Sequence, residues 1–302
     1  MTKQSISRRR FLKSTAGLAG ASLAITRTVS SAVSEQKLTA SDQVPLGKTG
    51  LSVSRLGIGT GSMSGRVQRA LGHDGFDRLI RYAYDHGITH IDTADGYQTH
   101  PWIRRAIKDL PREKFFITTK MGGRPEDPLK ELDRFRKELG VDYIDSVLIH
   151  CKIHGNWDET HKRLIDAFEE AKHKQIIRSH GVSCHSLPAL RKATALKWVD
   201  VNLVRVNPQA VKIDTEKATY FDDSKPKHLE KVVDLMGKMR ENGHGVVGMK
   251  IIGEGDFTRL EDRKKSIRFA MQPGLLDGVV IGFKNTAEID EAMQNMNEAL
   301  AG

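Results

Sequence analysis

Four side chains that could move a proton occur where short apolar segments of the sequence end. Asp92 ends one such segment, and Tyr97 follows it five residues later. Lys120 ends the next apolar segment along the chain, and His150 ends the one after that. In a barrel of parallel strands, chemistry is carried by residues at the C-terminal ends of different strands. The four residues therefore predict one site that contains a carboxylate, a phenol, an ammonium and an imidazole.

These four groups have complementary roles in the reduction of a carbonyl group. A free tyrosine titrates near pH ~10, and a nearby ammonium favours the phenolate and lowers that pKa. Lys120 can supply the ammonium, Asp92 can keep it charged, and His150 can donate a hydrogen bond to the carbonyl oxygen. Together they would polarise a C=O group and deliver a proton to it from Tyr97. They contain no reductant for the carbon, so a hydride-carrying cofactor is implied.

Each of the four residues also has an explanation that needs no chemistry. Asp92 could cap a turn, Lys120 could reach solvent at the rim, and His150 could be a core histidine with satisfied hydrogen bonds. Tyr97 could pack in the core with its hydroxyl hydrogen-bonded. Their occurrence at successive segment ends favours one shared site over four separate explanations.

Eight short apolar segments alternate with stretches of helical spacing over most of the chain. The predicted strands cover 55–59, 89–92, 115–119, 144–149, 177–183, 201–206, 246–250 and 278–281. The predicted helices cover 74–86, 127–139, 158–174, 187–196, 225–242, 260–270 and 286–300. The alternation indicates an α/β fold, a (β/α)8 TIM barrel, which typically takes about 250 residues. A short N-terminal β-hairpin is predicted over 45–53.

An open doubly wound sheet is the alternative arrangement of alternating strands and helices. It would require a glycine-rich dinucleotide turn of the form G-x-G-x-x-G after the first strand. The sequence there reads GIGTGSM over 57–63, which lacks that spacing. The barrel is therefore the prediction, as a domain over 44–302.

The first 32 residues have the composition of an export signal. SRRRFLK over 7–13 precedes a mildly apolar run over 16–25, and small residues occur at 30–32. A paired-arginine motif of this kind indicates a twin-arginine signal peptide. We expect residues 1–32 to engage the twin-arginine translocase and direct export to the periplasm, with 33–43 as a linker. A basic arm for nucleic acid or a membrane surface is the alternative, but it does not account for the apolar run.

The positive charge of the chain is concentrated in that first segment. The whole sequence has 48 Lys and Arg residues against 38 Asp and Glu residues, a formal net charge of +10. Residues 1–32 contain six basic and no acidic residues, which leaves 42 basic against 38 acidic residues. This small excess does not predict a nucleic-acid partner. The sequence has no run of eighteen apolar residues, so no membrane span is expected in the mature protein.

The sequence resembles the aldo-keto reductase family over nearly all of the predicted barrel. The resemblance is carried by LGKTGL at 46–51, GIGT at 57–60, GITHIDTA at 87–94, ITTK at 117–120, VDYID at 141–145, LIH at 148–150 and GVS at 181–183. It implies a (β/α)8 barrel that binds NADPH or, less often, NADH. The tetrad of the family falls on Asp92, Tyr97, Lys120 and His150, with the tyrosine as acid and base. The expected activity is the reduction of an aldehyde or ketone to an alcohol.

The resemblance also implies a set of cofactor contacts. Besides Asp92, they are Thr60, Gly61, Ser183, Cys184, Gly282, Lys284, Asn285 and Glu288. Cys184 and Leu203 stand where the family usually has an asparagine and a glutamine. Lys284 could bind a 2′-phosphate, whereas the carboxylate of Glu288 would repel it and suit a ribose diol. NADP is the expected cofactor, with NAD as the alternative.

Large apolar residues after the strand ends are predicted to line the mouth of the substrate pocket. They are Trp102, Ile153, Trp157 and Phe221. Packing of these residues between loops and helices is the alternative.

Two cysteines, Cys151 and Cys184, also follow predicted strand ends, with His154 and His185 close in sequence. A metal site or a disulfide could be built from these residues. Their spacing matches no zinc motif, so two free thiols and no metal are the prediction.

A cofactor-binding module that reports its redox state to a partner, with little or no turnover, is the alternative function. Export favours it, because nicotinamide cofactors are held in the cytoplasm. The four proton-handling residues favour an enzyme, because an inert binder need not keep Tyr97. An isomerase or hydrolase on the same barrel would need metal ligands or paired carboxylates at the predicted rim, and the sequence does not indicate them there.

Overall fold

Eight parallel strands close into a barrel in the computed structural model, which describes residues 37–220 and 222–302. The strands are β1 Gln43–Pro45, β2 Ser52–Ser54, β3 Leu56–Gly59, β4 His90–Asp92, β5 Phe116–Met121, β6 Ile144–Lys152, β7 Ile177–Cys184, β8 Val201–Arg205, β9 Gly245–Met249 and β10 Gly278–Ile281. Strands β3 to β10 pair in chain order, and β10 pairs with β3 to close the barrel. Strands β1 and β2 form a separate antiparallel hairpin. The predicted (β/α)8 barrel with its N-terminal hairpin is confirmed.

Helices follow the barrel strands and surround them. They are α1 Arg66–Arg69, α2 Gly72–Asp85, α3 His100–Ile107, α4 Pro128–Leu139, α5 Trp157–Thr160, α6 Lys162–His173, α7 Leu187–Ala195, α8 Pro226–Asn242, α9 Leu260–Ala270 and α10 Thr286–Leu300. Local signals explain several boundaries. The side chain of Asp127 caps the start of α4, and Gly140 ends it in the left-handed conformation that glycine favours. The side chain of Asn285 caps α10 in the same way.

Three helical regions differ from the prediction, and one of them is the four-residue helix α1, which was not predicted. Helix α3, which follows β4, is absent from the predicted helices. Its eight residues begin with His100 and Pro101 and are amphipathic, but the segment is short enough to be taken for part of the loop after β4. The stretch predicted as one helix over 158–174 is two helices, α5 and α6, because His161 between them is not helical.

The alternation of side chains along each strand directs two candidate residues, Lys120 and His150, into the barrel. Residues two apart on a strand lie on the same face. Phe116 on β5 belongs to a buried cluster with Leu148 on β6 and Leu203 on β8, which fills the barrel interior. Lys120 is four residues after Phe116 on the same strand, and His150 is two residues after Leu148. Their positions therefore place both above the apolar filling, towards the C-terminal mouth.

The hairpin closes the opposite, N-terminal end of the barrel. Leu46 and Val53 are fully buried and join the interior cluster. The amide of Lys48 donates to the carbonyl oxygen of Gly243, just before β9, at 2.8 Å. Gly47 has a φ of 52°, and a Cβ atom there would lie 2.4 Å from the backbone nitrogen of Gly245. Only glycine allows this close approach, so Gly47 lets the hairpin turn pack against the backbone that leads into β9.

The predicted linker over 33–43 differs from the structure where the structure describes it. Ala40 is fully buried in the main core, and its amide donates to the Asn297 side chain on α10 at 2.8 Å. The carbonyl of Ala40 also accepts a hydrogen bond from Leu56 at the start of β3. Part of the predicted linker therefore packs on the barrel. The predicted signal peptide over 1–32 lies outside the described residues.

No helix in the described part of the chain is both long and apolar enough to cross a membrane.

Candidate active site

The carboxylate of Asp92 and the ammonium of Lys120 form an ion pair at the C-terminal mouth of the barrel. Lys120 Nζ lies 2.7 Å from the carboxylate, and it also donates to the carbonyl oxygen of Thr93 at 2.7 Å. Both side chains are buried, with 1% and 7% of the Lys120 and Asp92 side chains exposed. Burial raises the pKa of the Asp92 carboxyl, although the Lys120 charge acts to lower it. The pair matches the prediction that the Asp92 carboxylate would pair with the Lys120 ammonium.

Tyr97 lies on a short 3-10 turn after β4, and its hydroxyl faces His150. The hydroxyl oxygen is 3.3 Å from Nε2 of His150, and the two rings meet edge to face. Lys120 Nζ lies 5.1 Å from the centroid of the Tyr97 ring. The structure therefore brings together all four residues that the sequence predicts as a tetrad.

Gly61 lies directly against the phenol of Tyr97. A Cβ atom at this position would come within 2.4 Å of the Tyr97 ring and 2.9 Å of its hydroxyl oxygen. Since real Cβ atoms do not approach so closely, any larger residue would displace the phenol. A residue predicted as a cofactor contact thus also sets the position of Tyr97.

The pKa of Tyr97 differs from the sequence-based expectation. The ammonium was expected to lower it, but burial raises the pKa of Tyr97 well above its usual value near 10, and the Asp92 charge adds to this effect. The main reason is that desolvation of the buried phenol outweighs the effect of the nearby ammonium. Burial and the charges of Lys120 and Lys152 lower the pKa of His150 to about 3. At neutral pH the site therefore contains a protonated phenol next to a neutral imidazole.

A cleft with a volume of about 570 Å³ extends from this site across the ends of β9 and β10. Five of the predicted cofactor residues line it: Gly61, Asp92, Gly282, Lys284 and Glu288. Thr60, Ser183 and Cys184 are instead buried beneath the strand ends, and the hydroxyl of Ser183 has no hydrogen-bond partner among the described residues. Asn285 contributes its side chain to the cap of α10.

Further charged side chains along this cleft, which include Lys250, Glu254, Arg263 and Glu291, were not predicted from the sequence. Lys250 directly follows β9 and pairs with Glu254 at 2.6 Å. Arg263 on α9 forms two hydrogen bonds with Glu291 on α10. The position of Lys250 immediately after a strand end is a signal that could have identified it, because that is where barrel chemistry occurs. Arg263 and Glu291 gave no such signal, since their charges resemble ordinary surface charges.

The extended shape of the cleft and its glycine-lined backbone suit an extended dinucleotide, while five carboxylates and three cations line it. Glycines at 59, 61, 255 and 282 line it, so the backbone is open to close approach by a ligand. Three cations, Lys250, Arg263 and Lys284, lie along it and can bind phosphate groups. The amide of Lys284 donates to the carboxylate of Glu288 at 2.8 Å, so this acid is turned towards the backbone.

The predicted substrate-pocket residues are mostly placed elsewhere. Trp157 is 1% exposed and donates its indole N–H to the carbonyl of Ala189, so it is a core residue. Trp102 packs on Phe76 of α2, on the outside of the barrel. Both predictions are wrong, because these aromatic residues attach helices and loops to the core. Ile153 is half-buried just beyond β6, and Phe221 lies outside the described residues.

Both cysteines are free thiols in the structure. Cys184 is fully buried, whereas Cys151 is half-buried with its sulfur 3.5 Å from Nε2 of His185. Burial raises the pKa of both thiols. The Cys₂His₂ hypothesis gains no support, since the group of possible metal ligands that the described residues bring together is Asp95, His100 and Glu138.

Sequence comparison identifies the protein family of this chain, and similar solved structures are described below. A sequence profile of the Aldo/keto reductase family matches residues 55–301. The Glycine max protein named "Probable aldo-keto reductase 1" is 31% identical over 230 residues, which are 71% of this chain and 60% of that protein. The 9,11-endoperoxide prostaglandin H2 reductase of Trypanosoma cruzi is 34% identical over 137 residues, which are 43% of this chain and 47% of that protein. This chain therefore spans less than two thirds of the length of either relative.

Solved structures show the same barrel. An aldo-keto reductase from Bacillus halodurans in its holo form superposes with a TM-score of 0.67 at 18% identity, over 86% of this chain and 95% of that chain. An aldo/keto reductase from Klebsiella pneumoniae in complex with NADP and acetate gives a TM-score of 0.63 at 16% identity, over 86% and 90%. These likenesses show the fold, and the profile match shows the family. The chain belongs to the Aldo/keto reductase family.

Proposed function

We propose that the protein reduces an aldehyde or ketone to an alcohol with NAD(P)H, and that Tyr97 is the proton donor. The observation that carries the proposal is the 3.3 Å approach of the Tyr97 hydroxyl to His150, with the buried Lys120–Asp92 pair beside the phenol. The activities named for related proteins, which include a yeast aldehyde reductase that is 40% identical over 108 residues, support the same reaction class.

The chemical roles follow from the protonation states. Neutral His150 can donate an N–H hydrogen bond to a carbonyl oxygen and hold it near Tyr97. The nicotinamide cofactor would supply a hydride to the carbonyl carbon. Tyr97 retains its proton at neutral pH, and an alkoxide is a stronger base than a phenolate, so the phenol can protonate the forming alkoxide. Lys120, held by Asp92, places a positive charge beside the phenolate that remains.

We propose NADP as the cofactor, with NAD as the alternative. Lys284 is exposed at the end of the cleft and can pair with a 2′-phosphate. Glu288 is bound to a backbone amide, which weakens the case for its contact with a ribose diol. Lys284→Met is expected to weaken NADPH binding about tenfold and to leave NADH binding unchanged. An equal effect on both dissociation constants would contradict this choice.

The test of the reaction is NAD(P)H oxidation with a panel of aldehydes and ketones. Tyr97→Phe should lower kcat by about 10²–10⁴ while cofactor binding persists, because the phenyl ring remains and only the proton is lost. Tyr84→Phe is the control, since Tyr84 stacks on Phe115 away from the mouth. Full turnover by the Tyr97 variant would rule out the proposed proton donor. Cofactor binding without turnover in the wild-type protein would favour the redox-sensing alternative.

We also propose that residues 1–32 direct export through the twin-arginine pathway to the periplasm. The paired arginines before a mildly apolar run support this proposal. Substitution of both Arg8 and Arg9 by lysine should retain the full-length chain in the cytoplasm, as measured by fractionation and immunoblotting. Arg27→Lys, which changes an arginine outside the motif, is the control. Export of the double variant at the normal level would exclude the pathway.

A further inference from the structure

One segment of the chain contacts both the turn that carries Tyr97 and the loop after β10. This connecting segment, residues 61–69, follows β3 and includes α1, and several of its residues line the cleft. Its backbone is joined internally, because the amide of Gly65 donates to the carbonyl oxygen of Ser62 at 3.1 Å and the amide of Arg69 donates to that of Gly65 at 3.0 Å. The connecting segment is therefore held as one unit.

The connecting segment contacts the backbone of Tyr97 as well as its ring. Nη1 of Arg69 donates to the carbonyl oxygen of Tyr97 and, at 3.4 Å, to that of Ser64. A Cβ atom at Gly65 would lie 2.5 Å from the same Tyr97 oxygen and 3.1 Å from the Tyr97 Cβ atom. Since Gly61 lies against the phenol ring, the connecting segment fixes both the backbone and the side chain of Tyr97.

On its other side, the connecting segment contacts the loop after β10. Gln68 is fully buried, and its amide nitrogen donates to Ser62 Oγ at 3.2 Å and to the carbonyl oxygen of Phe283 at 3.4 Å. A Cβ atom at Gly282 would overlap Ser62 Oγ and would lie 2.9 Å from Nε2 of Gln68. Gly282 and Phe283 both line the cleft, and Gly282 is one of the predicted cofactor contacts. The Gln68 side chain therefore supports the backbone against which a cofactor would lie.

The side chain of Gln68 is not explained by packing alone. Its oxygen is buried and has no hydrogen-bond partner among the described residues. An unsatisfied buried acceptor is unfavourable, so an apolar side chain would suit this position better if it only filled space. The stabilising part of the side chain is therefore its nitrogen, which joins Ser62 to Phe283.

We propose that Gln68 and Arg69 are positioning residues that keep Tyr97 in a fixed position relative to a cofactor bound in the cleft. The two residues are adjacent on α1, and Gln68 is joined to the loop after β10 while Arg69 is joined to the Tyr97 carbonyl. The hydride and the proton go to neighbouring atoms of one carbonyl group, so a small misplacement of either donor lowers the rate strongly. The inference rests on the proposed carbonyl reduction, and neither side chain takes part in proton transfer.

Kinetics and cofactor binding of the full chain test Arg69. Arg69→Met should lower kcat about ten- to hundredfold, because Tyr97 loses a backbone contact, while KM for the aldehyde and the dissociation constant of NADPH change by less than about twofold. Arg66→Met is the matched control, because Arg66 is on the same helix and is exposed. Arg69→Lys should recover part of the rate, since an ammonium can also donate to the Tyr97 carbonyl. Equal kcat values for Arg69→Met and Arg66→Met would overturn the proposal.

Gln68→Met should affect cofactor binding as well as turnover. It keeps an unbranched side chain but removes the donor to Phe283, so the dissociation constant of NADPH should rise about threefold or more, and kcat should fall as well. Gln294→Met is the control, because Gln294 is exposed on α10 and donates to Glu298. Wild-type NADPH binding and kcat in Gln68→Met would overturn the role of this residue. Thermal unfolding of each variant confirms that it is folded.

A spectroscopic measurement separates this inference from the proposed reaction. Fluorotyrosine is incorporated in place of tyrosine, and the fluorine NMR signal of Tyr97 is assigned from its absence in Tyr97→Phe. In the cofactor-free protein, Arg69→Met should shift this signal, and Arg66→Met should leave it in place. Saturating NADPH should shift the signal in the wild type and much less in Gln68→Met.

These shifts need no turnover, so they would support the inference even if no carbonyl compound is reduced. An unshifted Tyr97 signal in Arg69→Met, or an equal response to NADPH in the wild type and Gln68→Met, would overturn the inference while the carbonyl reduction itself could stand.

Discussion

The hydroxyl of Tyr97 lies 3.3 Å from Nε2 of His150, although the two residues are 53 positions apart in the chain. One residue comes from the turn after β4 and the other from the end of β6. The parallel pairing of β4, β5 and β6 brings these two rim segments together. The contact sets a protonated phenol against a neutral imidazole, and the predictions below test the groups that maintain it.

Gly61→Ala should displace the Tyr97 phenol without a new charge or hydrogen bond. The added Cβ atom would meet the ring at 2.4 Å, and a misplacement of this kind near reacting atoms costs about 10²-fold in rate. We expect kcat to fall by about that factor while the free energy of unfolding changes little. Gly96→Ala is the matched control, because a Cβ atom at Gly96 meets nothing within 4 Å. Equal kcat values for the two variants would show that the contact does not position the phenol.

Lys120→Met should destabilise the fold as well as the chemistry. It leaves the Asp92 carboxylate buried without its partner, and breaking a buried pair from one side costs about 3–5 kcal/mol. Urea unfolding at neutral pH measures this loss. The control is Lys174→Met, which removes an exposed pair with Glu170 and should cost about 1 kcal/mol or less. The double variant Lys120→Met with Asp92→Asn should recover part of the stability, and a further loss would contradict the explanation.

Glu254→Gln should strengthen cofactor binding. The Glu254 carboxylate lies in the cleft, neutralises Lys250 at 2.6 Å and would repel the phosphates of a dinucleotide. Its removal frees the Lys250 ammonium, so the dissociation constant of NADPH should fall roughly three- to tenfold. Fluorescence titration provides the measurement, with Glu170→Gln on the outer surface as the control. Unchanged or weaker binding would mean that phosphate groups do not approach Lys250.

Stability should fall on mild acidification, because His90 is buried as a neutral ring. Its Nε2 lies 3.1 Å from the Thr118 hydroxyl inside the barrel, and burial together with the Lys120 charge lowers its pKa to about 3. In the unfolded chain the value is about 6.5. Between these values the unfolded state binds a proton that the folded state does not, so the free energy of unfolding decreases as pH falls. The contribution is about 1.4 kcal/mol per pH unit for this one group.

Urea unfolding at several pH values between about 4 and 6 measures that slope. His90→Gln should flatten the dependence, whatever its effect on stability at neutral pH. His86→Gln is the control, because His86 is exposed on the surface. A slope that stays the same in the His90 variant would show that other groups carry the acid sensitivity.

Local sequence patterns predicted the barrel and the tetrad because both depend on residue types and spacings within short segments. The strand β10 lies where the apolar run at 278–281 predicted it, and the remaining barrel strands differ by a few residues at their ends. Strand periodicity also places Lys120 and His150 on the inner face of their strands. Helix α3 was missed because its eight residues are few enough to be taken for part of the loop after β4.

Aromatic residues and loop charges could not be assigned in this way. Trp157 was predicted at the pocket mouth, yet it is almost fully buried. Local patterns could not reveal this, because its hydrogen-bond partner Ala189 on α7 is 32 positions away in the sequence. The pairing of Lys250 with Glu254 depends on how the loop after β9 folds at the mouth.

The sequence by itself thus determined the order of the barrel strands and the position of the tetrad residues at the C-terminal mouth, because residue type and periodicity act over a few positions. The tertiary structure alone decided the electrostatics of that mouth. The pKa of Tyr97 is raised instead of lowered because burial and the Asp92 charge act together on it, and neither effect exists before the barrel closes.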